Sequence, residues 1–207
     1  MNFPKEWLDY NGLVLPQPND GRPCDNGVMF TSVAVVLGYD FPNYKELVKE
    51  CYLKPGLFAR WKGNDYDQSA WDDYLAVATA CIYLKETGIP RDILWYGITH
   101  AFIYDTDKKV EGRDFLLRNF PIWPLMMVAA FPFLKYPMYP LLWLVQKFFK
   151  DPFELIQQND TSGFQLQWVY LLGCHLLGFN FNYLLHNLYK PVAFHFYYHK
   201  NHPFNNI

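Results

Sequence analysis

A chain of 207 residues and 24.6 kDa is sized for one domain. Its 18 Lys and Arg nearly balance 20 Asp and Glu, which argues against a general nucleic-acid binder, and 51% hydrophobic content excludes intrinsic disorder. Aromatic residues reach 20%, so some of that mass is expected to line a groove or a protein interface as well as the core.

Met1 to Trp7 shows no basic region followed by an apolar one, so no signal peptide is expected. Cys24, Cys51, Cys81 and Cys174 are scattered without a C-x-x-C pair and read as free thiols of a reducing compartment. Residues 1–25 are punctuated by Pro4, Gly12, Pro16, Pro18, Gly21 and Pro23 and read as an extended N-terminal arm. Its apolar members Trp7, Leu8, Leu13, Val14 and Leu15 would pin it down. Residues 26–207 read as a single helical domain. Asp25 or Asn26 is placed to cap an apolar helix from Val28 to Leu37 that stops at Gly38, with a buried strand as the competing reading. A second helix is expected from near Pro42 to just before Lys54-Pro55-Gly56. The polar loop 61–68 then leads to the strongest helix signal. Ser69 and Asp72 form a capping box, Trp71, Tyr74, Leu75, Ala78, Cys81 and Ile82 follow at helical spacing, and Gly88 and Pro90 end the run.

Beyond Pro90 a shorter helix to about His100 and a short strand at Phe102–Tyr104 are expected. Further helices are expected near 114–120, 122–134, 138–150, 162–177, 180–190 and 192–199. Residues 119–149 are the one membrane-like region. The uncharged part is 16 residues long and broken by Pro121, Pro124 and Pro132, so it reads as two buried helices rather than a span. An interfacial membrane hairpin is the competing reading. The fold class is therefore all-α, built of stacked antiparallel helical hairpins with the extended arm.

Polar chemistry concentrates in the N-terminal half. Asp25 and Asn26 stand at one helix start and Arg60 in a connection. Asp65, Asp67, Ser69, Asp72 and Asp73 surround another helix start. Helix starts that share one end of a stack can bring two carboxylates together as acid and base, or acid and nucleophile, on a glycosidic bond. The candidate catalytic residues are Asp25, Arg60, Asp72 and Asp73, while Asn26, Trp61, Tyr66, Trp71 and Tyr74 are candidate binding residues. Helix capping and ion pairing account for the same acids equally well. Asp65 to Ser69 lacks the glycine and distal Glu of an EF-hand loop, and His195, His199 and His202 lack the H-E-x-x-H glutamate. No metal and no cofactor are therefore expected. Nucleotide-binding loops and the G-x-S-x-G elbow are absent from the sequence.

The segments Asn26-Gly27-x-x-x-Thr31, Pro55-Gly56-Leu57-Phe58-x-Arg60, Asp67-Gln68-Ser69-x-x-Asp72-Asp73-Tyr74-Leu75 and His202-Pro203 are together similar to uncharacterised proteins of tailed bacteriophages. The likeness covers the first hundred residues best. It implies a helical, toroid-like domain with a polar patch built from these positions, and a layout that resembles the α/α-toroid glycoside hydrolases and polysaccharide lyases. At 207 residues only a partial ring fits. The pattern departs at Val33, where the phage proteins often carry an acid.

Two functions follow as expectations. One is a phage virion-associated or accessory protein, in the virion or the host cytoplasm, that binds phage or host partner proteins in an oligomeric assembly through an aromatic-rich surface. The other is a carbohydrate-active enzyme acting on a cell-surface polysaccharide. Buried acids with aromatics on the outside favour the first, and an open groove lined by Asp72, Asp73 and Trp71 favours the second. Nucleic acid is not an expected partner, and a membrane is the least favoured one.

Overall fold

A computed structural model describes residues 1–15, 26–63, 71–100, 122–146, 161–179 and 203–206. These are mostly helical: α1 (Gly27–Val36), α2 (Tyr44–Glu50), α3 (Trp71–Leu84), α4 (Gly88–Thr99), α5 (Ile122–Ala130), α6 (Tyr139–Val145) and α7 (Thr161–Leu176). A two-stranded antiparallel hairpin, β1 (Tyr52–Lys54) and β2 (Leu57–Phe58), follows α2. Short 3-10 turns lie at Lys5–Trp7, Pro132–Leu134 and Pro203–Asn206. The expected strand at 102–104, the helices at 114–120, 180–190 and 192–199, and the histidines at 195, 199 and 202 lie outside the described residues.

The hub is α3, which packs against α1, α5 and α7. Its residues from Asp73 to Cys81 are all buried, and Ala76, Ala78 and Ala80 let neighbouring helices approach closely. Gly173 of α7 fits against α3 and α5; a Cβ there would lie 2.9 Å from Thr79 Oγ1 and 2.7 Å from Leu125 Cδ2. The Thr79 hydroxyl lies within hydrogen-bonding distance of both Leu75 O (3.0 Å) and Val169 O (3.3 Å), so it ties the two helices together. α1 is apolar on every side and buried from Gly27 to Val35, as a central helix requires. Helical bonding disposes of the strand reading: the Thr31 and Ser32 hydroxyls donate to Gly27 O and Val28 O one turn back.

Three helices end in the same hook. After α1, Gly38 N–H and Tyr39 N–H donate to Val35 O and Ala34 O, with Gly38 at φ +90°. After α7, Gly178 and Phe179 repeat this on His175 O and Cys174 O. After α3 the left-handed position is Lys85, at φ 57°, with Glu86 N–H bonded to Cys81 O. The helix thus stops four residues before Gly88, which instead opens α4. The Glu86 carboxylate accepts Gly88 N–H at 2.6 Å.

The second predicted helix is shorter than expected. It ends at Glu50, and Tyr52 to Phe58 turns back as a hairpin around Pro55 and Gly56. Pro followed by Gly at φ +85° suits a tight turn with a left-handed second central residue. The apolar region divides too. α5 is core, with Leu125, Met126 and Val128 buried, whereas Phe133, Tyr136, Tyr139, Trp143 and Leu144 are exposed. Among the described residues no helix is long and apolar enough to cross a membrane.

Residues 1–15 pack on the domain. Phe3, Trp7, Leu13, Val14 and Leu15 are buried, and the segment doubles back through a bridge between Leu8 and Val14. Asp9 organises this turn: its Oδ1 accepts the N–H groups of Asn11 and Leu13, both at 2.8 Å.

Candidate functional site

Local bonding sets the start of α1. Asn26 occupies the N-cap position in the left-handed region at φ 66°, and its side chain makes no capping hydrogen bond. The expected side-chain cap by Asn26 is therefore not formed; Asp25 lies outside the described residues. Instead Val28 N–H donates to Arg60 O at 3.1 Å, so the chain leaving β2 closes one end of the helix. Gly27 fits closely here: a Cβ would lie 3.3 Å from the Leu13 side chain and 3.5 Å from Arg60 O. One turn on, Thr31 Oγ1 accepts Val14 N–H at 2.9 Å while donating to Gly27 O. Asn26-Gly27-x-x-x-Thr31 thus fastens two remote segments to one helix end.

The start of α3 meets this end. Tyr74 packs against Phe58 of β2, with the rings tilted by 45° and their centroids 4.3 Å apart. Arg60 is half-buried and its charge acts on Asp72. Burial pushes the Asp72 carboxyl above the ordinary carboxylate range, while the Arg60 guanidinium and the amides of Asp72 and Asp73 pull it partly back. Asp73 is 0% exposed. The Arg60 charge thus offsets part of the cost of burying Asp72. Trp61 is half-buried against the core. Among the described residues, nothing hydrogen-bonds Asn26 Oδ1 or Asp72 Oδ1, although both atoms are buried.

Asn26, Arg60, Asp72, Asp73 and Tyr74 are therefore gathered around the facing starts of α1 and α3. Of the candidate carboxylates that are described, only Asp72 retains any solvent access, because Asp73 points wholly inward. Asp25 and Tyr66 lie outside the described residues, as does the side chain of Trp71. Sequence reasoning passed over Asp9, a buried acid whose pKa is raised by desolvation. The D-x-N-G spacing of an Asx turn was the signal available. Asp9 and Asp73 both act on the Cys51 thiol, which burial first and these charges second push up to about 12. A thiol so protonated is a packing residue rather than a nucleophile. Among the described residues no cluster of His, Cys, Asp and Glu could hold a metal ion.

A separate groove of about 410 Å³ lies at the opposite ends of α1 and α3, lined in part by Tyr39, Tyr44, Tyr83 and the Lys45–Glu86 ion pair. It contains none of the candidate site residues. No family model, no curated protein and no solved structure matches the chain.

Proposed function

We propose that the protein is a bacteriophage-encoded virion-associated or accessory protein that acts by binding partner subunits through its aromatic-rich surface, in the virion or the host cytoplasm. The observation that carries this reading is the partition of its side chains. Asp73 is sealed inside and Asp72 is half-buried, while Tyr10 and Trp95 stand 72% and 68% exposed. Large aromatic rings held rigidly at the surface are the side chains that supply most binding energy at protein interfaces. The phage-like segments support the origin, and the toroid-like stacking of hairpins and the extended arm belong to the same proposal. Mass spectrometry of purified particles from the source organism tests it: the chain is expected among the particle or particle-associated proteins.

A carbohydrate-active enzyme is the second reading. It is favoured by one observation, the raised carboxyl of Asp72 beside Arg60. Turnover of a cell-surface polysaccharide by the wild type, lost in a stably folded Asp72→Asn or Asp73→Asn variant, would establish it and displace the binding reading.

A further inference from the structure

From Phe115 to Lys150 the sequence carries no Asp or Glu, yet it holds the cations Arg118, Lys135, Lys147 and Lys150. The described part of this stretch that follows α5 is largely turned outward. In α6, Leu142 and Val145 are buried, while Tyr139, Trp143 and Leu144 are exposed. A helix at a water-facing surface normally presents polar residues outward; α6 is apolar on both sides. The preceding turn adds Phe133 and Tyr136.

The segment is held firmly. Tyr170 Oη donates to Leu142 O, and Tyr139 packs edge-on against Phe179 at 4.9 Å. Lys135 lies among the rings, its Nζ 5.2 Å from the Tyr136 centroid and 5.4 Å from that of Phe179. This places an ammonium at the rim of an aromatic platform with an aliphatic stem along it, the arrangement by which Lys side chains reach from an apolar layer to a headgroup.

We infer that the face formed by Phe133, Tyr136, Tyr139, Trp143 and Leu144 seats in the headgroup layer of an anionic lipid bilayer, with Lys135 meeting lipid phosphate. The inference goes beyond the proposed binding of partner subunits: it assigns a separate face of the exposed aromatic surface to lipid. Charge selects this occupant. An acid-free stretch of sequence with Lys135 on its described face complements an anionic leaflet. Tyr and Trp favour the membrane–water boundary, and Pro132, Pro137 and Pro140 offer no N–H to a protein partner. With seven residues, α6 can lie on a bilayer but not span it.

The test is co-sedimentation of the full chain with phosphatidylcholine vesicles and with vesicles containing phosphatidylglycerol. Binding to the anionic vesicles is expected, weakened when salt is raised from roughly 0.1 M to roughly 0.5 M. The double variant Phe133→Ser, Tyr136→Ser should bind at least about tenfold more weakly with an unchanged unfolding midpoint. Leu144→Ser, on α6, should weaken binding independently, and Tyr10→Ser, an exposed ring outside this face, should not. Lys135→Glu should reduce binding to anionic vesicles only. Absence of sedimentation with either vesicle overturns the inference, as does binding that the double variant retains. A dimer in sedimentation equilibrium that the double variant loses overturns it in favour of a second copy. Each of these leaves the binding-protein reading to particle mass spectrometry, whereas Asp-dependent glycan turnover removes that reading whatever the vesicles show.

Discussion

Gly56, at the tip of the β1–β2 hairpin, lies so close to Asp92 of α4 that a Cβ built on it would fall 2.1 Å from the Asp92 carbonyl oxygen. Backbone meets backbone there, so neither side can move aside as a flexible side chain would. Gly56→Ala should therefore destabilise the protein by about 2–4 kcal/mol, combining overpacking with the cost of a left-handed alanine. Gly63 is the control: it has the same φ of +85° but nothing within 4 Å of a Cβ, so Gly63→Ala should cost only about 1 kcal/mol. Urea unfolding of both variants separates the two terms. Equal losses would mean that the approach of the hairpin to α4 is not as described.

Thr31 joins the N-terminal segment to α1. Thr31→Val preserves shape but leaves the buried Val14 N–H without its acceptor, at about 1–3 kcal/mol, whereas Thr31→Ser keeps the bond. Hydrogen exchange at the Val14 amide should accelerate in the valine variant and stay near wild type in the serine variant. Unchanged protection in the valine variant would sink this account of how residues 8–15 are held.

Lys85 is an L-residue in a left-handed hook that glycine fills at Gly38 and Gly178. Lys85→Gly should raise stability by about 1 kcal/mol, since glycine carries no penalty in that conformation. A fall in the thermal midpoint would show that the lysine side chain contributes more than its backbone strain takes away.

Asp72 predicts a pH signature. Its folded pKa is raised above 3.8, so the fold favours the protonated carboxyl. The corresponding stability is fully present below the ordinary carboxylate range and is lost as pH rises through the raised value. Asp72→Asn, which stays neutral, should match wild type in acid and become progressively more stable than it toward neutral pH. Chemical denaturation across pH 3–7 checks the sign. A variant less stable than wild type at neutral pH would mean that attraction to Arg60 outweighs desolvation.

Much of the helical framework was legible because its signals are local. The unbroken apolar stretch before Gly38 fixed α1 to within a residue, and the run from Trp71 to Ile82 placed the body of α3. The β1–β2 hairpin escaped because Tyr52-Leu53-Lys54 is as acceptable at the end of a helix as in a strand, and the docking of Gly56 on α4 is a tertiary fact. The end of α3 was misplaced for a related reason: glycine is the usual stop, and nothing local marks Lys85 as left-handed. In the site, sequence grouped Asn26, Arg60, Asp72 and Asp73 but could not say which acid faces in. Adjacent helical positions differ by about 100°, and only the packing of α3 decides between them. The outward face of α6 was hidden for the opposite reason, since apolar residues there carry the same pattern as a buried helix.

Phe3 stacks edge-on against Phe204 at 5.8 Å and against Tyr39 at 4.8 Å, and the Tyr39 hydroxyl donates to Pro203 O. These rings form one cluster from opposite ends of the sequence. On a ribosome the two faces of that cluster emerge far apart in time: at about 5–20 residues per second, residue 3 waits roughly 10–40 s for residue 204. Until then the Phe3–Tyr39 pair lacks the ring that completes it, so a contact begun early in synthesis closes late. Removal of Phe204 would therefore open an apolar gap against Phe3 and Tyr39, at a site remote in sequence from the change.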